Sequence, residues 1–303
     1  MRSIIAKKAS RSEFLTVRGL RYHVRHWGDP QAPKIFMMHG WMDMSASFQF
    51  MVDALQGEWH VIAPDWRGFG LTERSPAQSY WFPDYLADLD VLLDHYAGDQ
   101  AVNLLGHSMG GNVVSLYAGV RPQRIARLIN LEGIGLPTAK PEQAPGRFTQ
   151  WLDEMKNRPV LRGYATLDEV AARLQKNNAR LSDERAGFLA RHWAQQDESG
   201  LWQILGDPAH KQVSPILYRV DEMMACWSRI TAPVLWIEAI DSDIWRFFGS
   251  ASLKREEIDR RIACIPSTQV EMIADAGHML HHDQPERLAQ LIETFLQQPL
   301  PPA

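Results

Sequence analysis

The sequence predicts an α/β protein: a doubly wound, mostly parallel sheet interrupted by a block of helices. Three observations point there. Short apolar runs recur between helix-like stretches, which is the rhythm of strands linked by crossover helices. That rhythm is suspended between residues 136 and 227. A chain of 303 residues exceeds one minimal domain and suits one large core carrying an elaboration.

Taken in order, EFLTVRG and LRYHVRHWG alternate apolar and polar residues about Gly19 and read as an antiparallel lead-in, closed by the turn Gly28-Asp29-Pro30. KIFMMHG and HVIAPDWRGFG follow, separated by the helix-like SASFQFMVDALQ, and their lack of alternation suits strands covered on both faces. A helix is expected over about 80–96, a strand at AVNLLGH, a helix over about 110–120 and a strand at RLINLEG. From 136 to 227 the helical candidates GRFTQWLDEMK, LDEVAARLQKNN and ERAGFLARHWAQQ replace the strands, which predicts a helical cap inserted into a core built from 1–135 and 228–303. The sheet resumes with APVLWIEA, a helix around REEIDRRIA, a strand at TQVEMIAD and the closing helix PERLAQLIETFLQQ.

Composition narrows the function. A 45% hydrophobic and 22% charged chain buries an ordinary core, and a net charge of −4 with no stripe of Lys and Arg argues against nucleic acid as a partner. Cys226 and Cys264 lack CxxC spacing, so both read as buried apolar residues in a reducing compartment. The N-terminal apolar run is only Ile4 to Ala6, shorter than a signal-peptide core, and no segment is long enough to span a bilayer. A cytoplasmic monomer or homodimer acting on a small molecule, without membrane attachment, is the expectation.

The strongest chemical signal is Gly106-His107-Ser108-Met109-Gly110, set where a strand ends and a helix begins. A serine there sits on a tight turn whose flanking glycines avoid collisions with the neighbouring strand and helix. The helix N-terminus behind it offers free N–H groups to a developing negative charge. A serine hydroxyl needs an imidazole to take its proton, and His278 lies just past the last strand, after Ala276-Gly277. His281 and His282 compete with it but approach the helix cap near Pro285. No HExxH or similar spacing implies a metal, and GHSMGG is not a G-x-G-x-x-G, so no cofactor is implied.

Four stretches in order, MMHGW at 37–41, APDWRGFGLT at 63–72, GHSMGG and AGHMLHHDQPE, resemble the oxyanion, D-x-R-G-x-G, nucleophile-elbow and histidine loops of α/β-hydrolase fold enzymes, over nearly the whole chain. The resemblance implies a serine hydrolase of esterase type. Its oxyanion hole would use the backbone N–H groups of Trp41 and Met109. Two placements compete for the third, acidic member. In much of the family it follows the strand after the cap, which offers Asp241 and Asp243, with Asp243 preferred; here Ala239 replaces the usual glycine. In members resembling haloalkane dehalogenases it follows the strand after the nucleophile helix, which is Glu132. Asp65 and Arg67 read as a loop-shaping ion pair, and Asp43 as a solvated side chain. Of Trp151, Trp193, Trp202, Trp227 and Trp245, some should line an apolar substrate pocket. The resulting expectation is acyl transfer from small or medium apolar esters through Ser108. Carbon–carbon bond hydrolases and lactonases would share that serine, and a weakly catalytic ligand-binding protein is the alternative of another class.

Overall fold

The computed structural model describes residues 6–77, 79–244 and 254–300, so Trp245 lies outside the described residues. Strands β1 (Ser10–Val17) and β2 (Leu20–Trp27) form the antiparallel lead-in. Their two-residue turn, Arg18-Gly19, has φ of 47° and 83°, which glycine accepts freely and arginine does not. Then come β3 (Lys34–Met38), α1 (Gln49–Ala54), β4 (His60–Pro64), α2 (Phe82–Ala97), β5 (Val102–His107), α3 (Met109–Val120) and β6 (Ile125–Leu131). After a long insertion the core resumes with β9 (Val234–Ala239), α8 (Arg255–Ala263), β10 (Thr268–Ile273), the short α9 (Leu280–Asp283) and α10 (Pro285–Leu296).

Among the described residues the main sheet runs β1-β2-β4-β3-β5-β6-β9-β10. The β1–β2 and β2–β4 pairs are antiparallel, and every pair from β4 to β10 is parallel. Strand alternation splits the core into two layers. Phe36, Met38, Leu104, Leu128 and Trp236 face the side of α2, α3 and α8, while Ile35, Met37, Leu105, Ile129 and Leu235 face α1 and α10. Helix α10 reaches that second layer with Leu288, Ala289, Ile292, Phe295 and Leu296, the spacing of one helical face.

The insertion contains α4 (Ala144–Lys156), α5 (Leu167–Asn177), α6 (Asp183–Trp193) and α7 (Val220–Trp227). Thr166 and Ser182 cap α5 and α6 by accepting the N–H groups of Glu169 and Arg185. The expectation of helices alone between 136 and 227 is corrected by a small hairpin of β7 (Ala194–Gln196) and β8 (Trp202–Ile204). Three-residue strands are too short to show alternation in sequence. A third apolar cluster joins Met44 and Phe50 of the core to Val170, Phe188 and Trp193 of the insertion. The two cysteines are free and half-buried rather than buried.

Candidate active site

The strand ends bring the chemistry together. β5 runs into Ser108, whose φ of 53° and ψ of −116° put it in a backbone region that L residues avoid. The surroundings enforce that geometry: a Cβ on Gly106 would lie 2.4 Å from the Gly110 carbonyl oxygen, and one on Gly110 would lie 2.2 Å from that of Met38. Neither glycine can be replaced without moving backbone. The turn places Ser108 at the N-terminus of α3, with its own N–H donated to the Leu131 carbonyl across the sheet at 2.8 Å.

His278 lies on the loop between β10 and α9, and its Nε2 is 2.9 Å from Ser108 Oγ. Its Nδ1 is 3.2 Å from Glu132 Oε2. With Nδ1 protonated, His278 donates to the carboxylate and accepts the serine proton on Nε2, an assignment set by the partners. Glu132 is the residue after β6, only 2% exposed, and has a positive φ of 57°. Its Oε1 accepts the Ala239 N–H at 2.7 Å, and Oε2 also accepts the Ser242 hydroxyl. A buried carboxylate is costly without donors, and here three are supplied.

The other candidate acids are more exposed than Glu132. Asp241 is exposed and pairs with Arg180 of the insertion at 2.9 Å, and Asp243 is exposed. The HG loop passes directly beside the serine, since a Cβ on Gly40 would come within 3.2 Å of Ser108 Cβ. Met109 opens α3, and Trp41 follows Gly40, so both backbones border Ser108.

The loops around this centre are tied by residues whose partners sequence did not reveal. Asp65 and Arg67 do not pair with each other. Asp65 accepts from His23 Nδ1 at 2.7 Å and from the Ser45 and Leu71 N–H groups at 2.7 and 2.9 Å, while Arg67 binds Asp88 through two contacts of 2.6 and 2.5 Å. Burial pushes the Asp65 carboxyl up, but the hydrogen bond and charge of His23 outweigh it and hold the group well below its ordinary value. His39 accepts the Trp66 N–H on Nε2 at 2.8 Å and donates Nδ1–H to the Gly40 carbonyl, and burial lowers its pKa to about 4. It is a neutral strut. Asp43 is not solvated, as sequence suggested, but buried.

The insertion grips the same loops. Trp193 Nε1 donates to the Met42 carbonyl at 3.0 Å, and Trp41 Nε1 donates to the His210 carbonyl at 3.1 Å. The His210 ring is sandwiched between Phe69 and Tyr80, 3.7 and 3.5 Å away, and donates Nε2–H to the Arg67 carbonyl. Trp227 instead packs on Trp236 in the core, and Trp151 and Trp202 are half-buried.

A parallel sheet whose strand ends present a strained serine, a histidine and a buried carboxylate in hydrogen-bonded series defines the class of an α/β hydrolase. A family model for the alpha/beta hydrolase fold matches residues 33–285, and the chain belongs to that family. It is 26% identical to a serine hydrolase-like protein of Danio rerio over 283 residues, 89% of this chain and 83% of that one. It is 24% identical to human serine hydrolase-like protein 2 over 296 residues, 89% of each chain. Among solved structures it resembles the thioesterase domain from the curacin biosynthetic pathway, with a TM-score of 0.84, 24% identity, and 94% and 99% of the two chains covered. Among the described residues no helix is long and apolar enough to cross a membrane.

Proposed function

We propose that the protein is a serine hydrolase that cleaves carboxylic esters of small or medium apolar substrates. Ser108 is the nucleophile, His278 the general base and Glu132 the acid that orients it. The observation that carries this reading is the unbroken series from Ser108 Oγ through the two His278 nitrogens to Glu132 Oε2, at 2.9 and 3.2 Å.

In this mechanism Ser108 Oγ attacks the ester carbonyl carbon as its proton passes to His278 Nε2. The carbonyl electron pair moves onto oxygen, which the N–H groups of Met109 and Trp41 receive; each such donor is worth about 3 kcal/mol in the transition state. Collapse expels the alcohol, protonated from Nε2, and leaves an acyl group on Ser108. Water then repeats the sequence and frees the acid. Glu132 keeps Nδ1–H aimed and stabilises the imidazolium, while Ala239 N–H and the Ser242 hydroxyl hold the carboxylate still. Residues 136–227 act as the cap over a core of 1–135 and 228–303. The serine hydrolase-like relatives support the same class.

The test is hydrolysis of p-nitrophenyl acetate, butyrate and octanoate by the wild type and by Ser108→Ala. Turnover that falls at least about a thousandfold in the variant is expected. Equal rates in both proteins, or no turnover by the wild type, would overturn the esterase reading.

A further inference from the structure

Three buried side chains that the proposed reaction does not use converge next to the Ser108–His278 pair. Asp43 follows the HG loop, His107 ends β5 and His281 lies in α9, and one carboxylate oxygen or ring nitrogen from each lies within 4.8 Å of the others. They are 8%, 1% and 0% exposed. Each also carries a sealed polar atom with no hydrogen-bond partner among the described residues: Asp43 Oδ2, His107 Nδ1 and His281 Nδ1. One such atom costs about 1–3 kcal/mol, and native interiors rarely leave it unmatched. Three in one cluster mark a polar space that a bound group could fill.

The cluster is also shaped for one. His107 donates Nε2–H to the His278 carbonyl at 2.8 Å, which leaves a lone pair on Nδ1. A Cβ at position 40 would lie 3.1 Å from that nitrogen, so Gly40 keeps the space before it open. His281 Nε2 is 3.9 Å from Asp43 Oδ2 and 3.0 Å from Ser47 Oγ.

We propose that Asp43, His107 and His281 form a binding site for one divalent transition-metal cation of the zinc class. Two imidazole nitrogens with one carboxylate oxygen suit such borderline ions, whereas calcium and magnesium favour shells of oxygen. Bonds of about 2.0–2.1 Å at a tetrahedral centre require ligand atoms roughly 3.3 Å apart, so the three side chains close in on binding. The ligands lie on a loop, a strand end and a helix far apart in the chain, so no spacing motif announces them, and the sequence implied no metal. The cation would not touch Ser108. It would grip His107, which carries the His278 carbonyl, and His281, three residues beyond His278, so occupancy is expected to change the hydrolysis rate.

The experiment titrates tag-free, chelator-treated full-length protein with CoCl2, followed by visible absorption and by metal content per chain after gel filtration. One Co2+ per chain with the intense bands of a tetrahedral centre, displaced by ZnCl2, is expected. Affinity should fall by about tenfold or more in Asp43→Asn combined with His281→Gln, and survive in His278→Ala. Asp43→Asn alone keeps the side-chain shape and serves if the double variant does not fold. The absence of saturable Co2+ binding by the wild type overturns the proposal. So does binding that is lost in His278→Ala but kept in the Asp43 and His281 variants, because the ion then sits on the proposed base.

Discussion

The sheet and the insertion hold the same site by different physical means. The sheet contributes the groups of the proposed reaction. Ser108, Glu132 and His278 each follow a strand, and their positions come from register and from backbone that cannot relax: φ is positive at both Ser108 and Glu132. None of these three residues belongs to the insertion. It contributes indole and imidazole contacts to loop carbonyls, at Met42 through Trp193 and at Arg67 through His210. A rigid parallel sheet can specify reacting atoms through main-chain geometry alone, whereas a helical insertion must reach out with long side chains to fix a loop it does not share backbone with.

The largest effect should lie on the sheet side, and it separates the two acids. Glu132→Gln keeps volume and the Ala239 contact but removes the charge that holds His278 in its tautomer. It should lower kcat on p-nitrophenyl butyrate by about a hundredfold to ten-thousandfold with little change in KM. Asp243→Asn should change kcat less than about twofold. The reverse pattern would move the acid to the loop after β9 and leave Glu132 as a structural carboxylate.

On the insertion side, Trp193→Phe deletes the donor to the Met42 carbonyl while filling most of the same space. Met42 follows Trp41, and with φ of 54° it sits in a conformation that needs outside support. If the insertion positions the Trp41 N–H, kcat should fall about five- to tenfold at nearly constant KM, a fraction of what losing the donor outright costs. Trp227→Phe provides the contrast. That side chain packs in the core 6.0 Å from Trp236, so its loss should cost about 1–2 kcal/mol of stability and leave kcat of the folded enzyme unchanged. Equal losses of kcat in both variants would show that the insertion acts only through global stability.

The same division explains what could be read from sequence. Strand ends announce themselves because backbone strain demands particular residues: Gly106 and Gly110 flank Ser108 because no Cβ fits there, while Gly40 beside it leaves little room for one. The carboxylate beside His278 Nδ1 could not be chosen from sequence, since Glu132 is held from β9 by Ala239 N–H and by Ser242, partners more than a hundred residues away whose register only the folded sheet sets. Asp65 and Arg67 look like natural partners two residues apart, yet each found a better one across the fold, in His23 and Asp88. Asp43 looked solvated because burial of a lone acidic residue leaves no periodic mark. The grip of the insertion was illegible for a related reason: a tryptophan that donates to one distant carbonyl has the same sequence signature as one that only packs.

The smallest effect per residue is a pH dependence that the insertion and the core should share. Burial lowers the pKa of His210 to about 3 and of His192 to about 4, both residues of the insertion, as it lowers His39 to about 4 in the core. A histidine whose folded pKa lies below the ordinary 6.5 contributes stability that is present above 6.5 and lost as pH falls towards the folded value, because only the unfolded chain takes up the proton in that window. Between pH 7.5 and 5.5 each such group should withdraw about 1 kcal/mol, read from urea unfolding followed by tryptophan fluorescence. For His210 the cause is desolvation, since protonation would place a charge on a ring buried between Phe69 and Tyr80. His210→Gln should therefore be less stable than wild type at pH 7.5 and show a shallower loss on acidification. A wild-type stability that stays flat from 7.5 to 5.5 would mean that the insertion docks without relying on neutral histidine, and that its two tryptophan bonds and the apolar cluster around Phe50 and Phe188 suffice.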